Sequence, residues 1–266
     1  MRIVVVSGAS SGIGRATAER FARAGDQVYN LDVTAPPDFS PEFAADLAAD
    51  LAADAGGIRW LETDVADWSA VQRAIAHVHD EHGRIDVAIA NAGISVRHGV
   101  LDIAWDQARR VVDVNLLGVL GLWQAAARLM VADGGGVLLA TASVNGHRGF
   151  PYYADYNATK AGIAALCRTF AVELSPVVRV ACVSPGAVLT PMQLAEYTPQ
   201  MLEDVNARIP AGRHAEPAEI AEAFHYLASA PARFITGQEL VIDGGEIAGS
   251  MTSDSGTAVA ARSGRR

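Results

Sequence analysis

Tyr156 and Lys160 stand four residues apart in an Ala-rich stretch with a helical pattern, residues 152–174. That spacing puts both side chains on one helical face, one turn apart. A free tyrosine has a pKa near ~10, so its phenolate is scarce at neutral pH. Lowering it by roughly three units takes about 4 kcal/mol. A unit positive charge at ~4 Å supplies roughly that much at an effective dielectric constant of ~20. The pair therefore predicts an acid/base in which Lys160 brings the Tyr156 hydroxyl down. A Y-x-x-x-K pair often arises by chance, so its company matters. Ser143 lies thirteen residues before Tyr156, just after the apolar run 137–142, and Asn115 interrupts the long apolar pattern 104–132. Alone, such a serine caps a turn and such an asparagine disturbs a helix.

A second constellation sits near the N-terminus: Ser7-Gly8-Ala9-Ser10-Ser11-Gly12-Ile13-Gly14-Arg15, between a short β-branched run and a helical pattern. Glycines let the chain turn tightly and let a pyrophosphate approach the backbone, while the helix start offers free N–H groups and a positive dipole end. The spacing is G-x-x-x-G-x-G rather than G-x-G-x-x-G, but its position between first strand and first helix is the one that gives such a motif weight. Asp32, followed by Val33, ends the second run, eighteen residues after Gly14. An acid there can bond both adenosine ribose hydroxyls and repels a 2′-phosphate. Arg15 is the nearest cation in sequence. The expected cofactor is NAD, with NADP the alternative.

Taken in order, the motifs resemble the short-chain dehydrogenase/reductase family. They are Ser7-Gly8-x-x-x-Gly12-Ile13-Gly14, Asp64-Val65, Asn91-Ala92-Gly93, Asn115, Ser143, Tyr156-Asn157-Ala158-Thr159-Lys160, Pro185-Gly186 with Thr190, and Ile242-Asp243-Gly244-Gly245, covering residues 1 to about 247. Two departures are mild: Ser7 stands where the family usually has Thr, and Ala90 precedes Asn91 where it often has a second Asn. The resemblance implies a secondary alcohol/ketone oxidoreductase. Tyr156 would be the acid/base, Ser143 the donor to the reacting oxygen, Lys160 the ribose-binding activator and Asn115 the holder of a proton-relay water. Asp64 and Val65 would meet the adenine. Asn91, Ala92 and Gly93 would support the adenosine ribose. Pro185, Gly186, Val188 and Thr190 would hold the nicotinamide. Ser10, Ser11 and Ile13 would join the pyrophosphate turn. On the substrate side, Ser143, Asn145, Tyr153, Tyr156 and Met192 are the candidates. Arg97 with His98, and His147 with Arg148, follow strand ends and could edge that pocket. The resemblance also implies a homotetramer built on two long helices.

The elements that position these residues alternate. Short apolar runs at 3–6, 28–31, 58–61, 85–90, 137–140, 178–183 and 240–242 read as strands buried on both faces. Helical patterns at 12–24, 39–53, 69–82, 104–132, 152–174 and 217–228 lie among them. This predicts an α/β, single-domain Rossmann-type fold: a doubly wound parallel sheet of about seven strands with helices on both faces. The catalytic domain is expected over 1–248, with a proline-marked lid at about 190–213 and a mobile tail at 249–266.

Half of the 266 residues are hydrophobic, and the net charge is −9. An acidic chain without a basic stripe argues against nucleic acid as a partner. Cys167 and Cys182 form no C-x-x-C pair, and no signal-peptide h-region or bilayer-length apolar run is expected, so the reading is a soluble cytoplasmic protein. His77, His79 and His82 lack an i, i+4 spacing for metal, and no metal is expected. Two rivals fail on the catalytic set. A non-enzymatic dinucleotide sensor would show that set broken, and a transferase with a Gly-rich loop has no use for Tyr156 beside Lys160.

Overall fold

The computed structural model describes residues 1–36 and 57–249. The helix expected over 39–53 and, apart from Gly249, the expected mobile tail lie outside the described residues. Seven strands form one parallel sheet: β1 (Ile3–Ser7), β2 (Gln27–Asp32), β3 (Ile58–Glu62), β4 (Val87–Ala90), β5 (Gly136–Thr141), β6 (Val178–Pro185) and β7 (Gln238–Ile242). Their order is β3-β2-β1-β4-β5-β6-β7, with every pair in parallel register. The chain winds outward from β1 in one direction and from β4 in the other, and ligands of open α/β sheets bind above such a switch point.

Alternation along β1 explains the two-sided core. Ile3 and Val5 join one apolar cluster while Val4 and Val6 join the other. Helices α1 (Gly12–Ala22), α2 (Trp68–His82), α3 (Trp105–Val112), α4 (Gly118–Asp133), α5 (Ala154–Leu174), α6 (Pro191–Glu196), α7 (Pro199–Asn206) and α8 (Pro217–Leu227) complete the fold. Helices α2, α4 and α5 pack with the first cluster, and α1 and α8 with the second. Trp123 of α4 is fully buried, and its indole N–H donates to the Leu139 carbonyl at 3.0 Å. Truncating such an anchor costs about 3–5 kcal/mol.

The pattern 104–132 is not one uniform helix. Between α3 and α4 the backbone widens into a π-helical turn, Asp113–Leu117, centred on Asn115. An inserted residue of this kind is invisible to periodicity and recurs at functional sites. The whole stretch Trp105–Asp133 is, against expectation, long and apolar enough to cross a bilayer, but most of its apolar length is buried inside the protein against the sheet and α2.

Candidate active site

The site forms where strands end. Gly8 takes φ +68°, a left-handed conformation that favours glycine, and its N–H donates to the Leu31 carbonyl at 2.9 Å. A Cβ on Gly14 would stand 2.1 Å from the Gly8 carbonyl oxygen, so α1 can start against the turn only with glycine there. The Ser7 hydroxyl accepts from the backbone N–H groups of Asn91 and Ala92, at 3.0 and 3.1 Å. Asn91 in turn donates to the carbonyls of Ser7 and Gly8 and accepts from the Thr141 hydroxyl at 2.9 Å. Three strand ends are thus stitched into one rim.

Below that rim runs a cleft of about 310 Å³. One end is lined by Gly8, Ser11, Gly12, Ile13, Asp32, Val33, Asp64 and Val65, the middle by Asn91, Ala92 and Gly93, and the far end by Tyr156 and Lys160, while Thr190, with Met192 two residues on, sits against Gly12. Asp32 accepts from Ser10 N at 3.1 Å and Thr34 N at 3.0 Å, which fixes its carboxylate at the cleft edge. Arg15 points its Nε to Glu19 at 2.9 Å. Asp64 is bound by Arg110, whose Nη2 lies 2.9 Å from Oδ2 and which also lines the cleft.

At the far end, α5 carries Tyr156 and Lys160 on consecutive turns. The Lys160 ammonium sits 5.4 Å from the Tyr156 ring centroid and donates to the Thr141 carbonyl at 2.8 Å. Burial pushes Tyr156 up to about 12, opposed by a hydrogen bond with Ser143 and reinforced by the charge of Glu196. Desolvation, the larger force here, also brings Lys160 down to about 8. Asn115 uses both ends of its amide on one residue: Oδ1 accepts from Ile94 N and Nδ2 donates to Ile94 O, each at 2.8 Å. It therefore clamps the segment after β4, and the widened turn carries it there.

On the substrate side, Asn145 brackets Ser143 through contacts of 3.2 Å and donates to Asn157 at 2.7 Å. The Tyr153 hydroxyl donates to Glu196 at 2.6 Å, and its ring lies 6.1 Å from that of Tyr156. The Ser95 hydroxyl donates to the other Glu196 oxygen. Burial and the Glu196 contact drive the Tyr153 phenol upward.

Several expected residues do not line the cleft. Ser10 spends its hydroxyl on the Thr34 carbonyl at 2.6 Å, Gly14 packs on Gly8, and Gly186 packs against Asp243. Pro185 ends β6, and Val188 is buried and bridged to Ala215. Asn115, Ser143, Asn145 and Tyr153 lie around the cleft rather than on its wall. Sequence reasoning missed Arg110, Thr141 and Glu196. Only Thr141, two residues before Ser143, offered a local signal. His79 and His82 serve Asp133, at 2.9 Å, and the Tyr29 hydroxyl, at 2.7 Å.

The residues fit a nicotinamide dinucleotide. A glycine turn and helix start face one end, a strand-end carboxylate stands beside them, and a Tyr–Lys pair closes the other. A family model described as enoyl-(acyl carrier protein) reductase matches residues 8–246. Cis-4-hydroxycyclohexanecarboxylate dehydrogenase of Sinomonas cyclohexanicum is 38% identical over 251 residues, covering 92% of this chain and 96% of that protein. L-rhamnose 1-dehydrogenase (NAD(P)+) of a Sphingomonas species is 35% identical, over 92% of this chain and 95% of its own length. The solved aldohexose dehydrogenase of Thermoplasma acidophilum superposes with a TM-score of 0.84 at 28% identity, covering 95% and 96% of the two chains. The chain belongs to the short-chain dehydrogenase/reductase family and is a nicotinamide-dinucleotide enzyme of CH–OH groups, as its named dehydrogenase relatives are.

Proposed function

We propose that the chain is an NAD-dependent dehydrogenase interconverting a secondary alcohol on a saturated ring and the matching ketone. The observation that carries this reading is Tyr156, half-buried on the cleft wall and one α5 turn from Lys160, whose ammonium lies 5.4 Å from its ring. Tyr156 exchanges the carbinol proton, and Ser143 donates to the same oxygen as charge develops on it. Lys160 holds the ribose hydroxyls, and Asn115 fixes the Gly93–Ile94 backbone beside it. Bound dinucleotide supplies the hydride acceptor or donor, and the chain's own residues handle the proton.

Asp32 at the end of β2 and the Arg15–Glu19 pair support NAD over NADP. The name of the rhamnose relative covers both cofactors, so the choice rests on these two features. The relatives' names specify a hydroxycyclohexanecarboxylate and two sugars, which supports a ring alcohol.

We infer a homotetramer as well. Trp105, Leu101, Val172 and Phe234 are large apolar side chains with 76%, 95%, 82% and 99% exposure, and such surfaces mark association sites. Sedimentation as a monomer would overturn this. A cytoplasmic setting fits Cys167 and Cys182, which are free and buried.

The test of the activity is NADH formation from a panel of ring alcohols. Tyr156→Phe should cost at least about a hundredfold in turnover while dinucleotide binding survives. Retention of more than about a tenth of the turnover would sink the mechanism.

A further inference from the structure

The segment after β4 presents Arg97 to the substrate side in an unusual setting. Its guanidinium carbon lies 5.5, 5.8 and 5.3 Å from the ring centroids of Tyr152, Tyr153 and Tyr197. The rings come from two different places, the loop before α5 and the residue that follows α6. Tyr153 is itself one ring away from Tyr156. Arg97 therefore stands one aromatic ring from the group that handles the carbinol proton.

Ring faces attract the charge of a guanidinium but occupy none of its five N–H donors as a carboxylate would. Among the described residues, Arg2, Arg20, Arg59, Arg110 and Arg213 each rest on a carboxylate, whereas no ion pair within 4.0 Å engages Arg97. Glu196, bonded to the Tyr153 ring that Arg97 lies over, is taken by Ser95 and Tyr153. Arg97 is also exposed, so its donors are reachable from solvent. Three rings limit its rotamers, which lowers the entropy lost when a ligand pairs with it.

We propose that Arg97 is a specificity-determining residue that pairs with a carboxylate on the substrate ring, opposite the carbon that is oxidised. The planar fork of arginine matches a carboxylate through two parallel hydrogen bonds. This rests on the ring-alcohol reading above.

The experiment compares 4-hydroxycyclohexanecarboxylate with its carboxamide, the same ring without the charge. Wild-type enzyme should favour the carboxylate at least about tenfold in kcat/KM. Arg97→Gln should lower kcat/KM for the carboxylate by about a hundredfold, mainly through KM, and change the carboxamide less than about twofold. Arg97→Lys should restore part of the loss. Cyclohexanecarboxylate, which has no carbinol, should inhibit the wild type competitively and Arg97→Gln far less. Equal losses on both substrates, or a wild-type preference for the carboxamide, would overturn the proposal. Turnover of neutral ring alcohols with no response to the carboxylate would overturn it and leave the ring-alcohol reading standing. Turnover of no ring alcohol at all would remove both.

Discussion

His98 Nε2 faces Asp155 Oδ2 at 3.2 Å, and both side chains are more than nine-tenths buried, at 7% and 6% exposure. Neither His98 ring nitrogen nor Asp155 Oδ2 makes an aligned hydrogen bond. The other Asp155 oxygen accepts from Tyr156 N at 2.8 Å, and His98 N donates to the Tyr152 carbonyl at 3.1 Å. Tyr152 holds φ +73°, a strained value for a residue with a side chain. The segment after β4 is thus fastened to the start of α5 one residue from the candidate acid/base.

Removing one partner leaves the other's buried polar atoms facing an apolar side chain. His98→Leu should lower the unfolding free energy by about 2 kcal/mol. Leu at both positions should recover most of that loss. Urea denaturation of the two single variants and the double variant measures the coupling. A single-variant loss under about 1 kcal/mol would show that the pair carries no net attraction.

Burial holds Tyr156 in its protonated form, so alcohol oxidation, which needs the phenolate, should accelerate as pH rises. Ketone reduction uses the protonated form and should not accelerate. Ser143 pulls Tyr156 down and Glu196 pushes it up. Ser143→Ala should therefore move the oxidation limb to higher pH, and Glu196→Gln should move it lower. Profiles of kcat/KM at saturating cofactor read both shifts, and shifts of opposite sign would refute the assignment.

Lys160 is brought down to about 8 by burial, below its unfolded value. Between those two values the unfolded chain binds the extra proton, so this lysine's cost is full below pH 8 and fades as pH rises. Lys160→Met should stabilise the protein at pH 7 by about 2 kcal/mol. This sets the desolvation removed against the lost hydrogen bond to Thr141. Activity should fall steeply in the same variant. A lower Tm at pH 7 would contradict the argument.

Cofactor choice should yield to two changes made together. Asp32→Ser removes the repulsion of a 2′-phosphate, but Arg15 stays on Glu19 at 2.9 Å. Adding Glu19→Gln removes the ion pair that holds Arg15 along α1. The pair of changes should lower the KM for NADP at least about tenfold, and Asp32→Ser alone should do less. Equal effects of the single and paired changes would show that Arg15 has no part in it.

The parts of the site legible in the sequence are those written locally. Tyr156 and Lys160 are readable because i, i+4 fixes a shared helical face, and Gly8 and Gly14 because a strand-to-helix turn needs them within seven residues. The seven strands follow from short β-branched runs alone. Glu196 was hidden because its partners Tyr153 and Ser95 are 43 and 101 residues away. Arg110 meets Asp64 across 46 residues for the same reason. Four residues of spacing specify Lys160 as a neighbour of Tyr156 but not the dielectric around the pair, which depends on how α5 and the sheet meet.

Helix α6 is six residues long and touches both compartments. Its first turn, at Pro191 and Met192, lines the dinucleotide cleft, and its last residue, Glu196, is tied to Tyr153 and Ser95 on the substrate side. So short a rigid piece cannot let go of one compartment and keep its hold on the other. The residence times of product and of dinucleotide should therefore shift together in variants that loosen this helix.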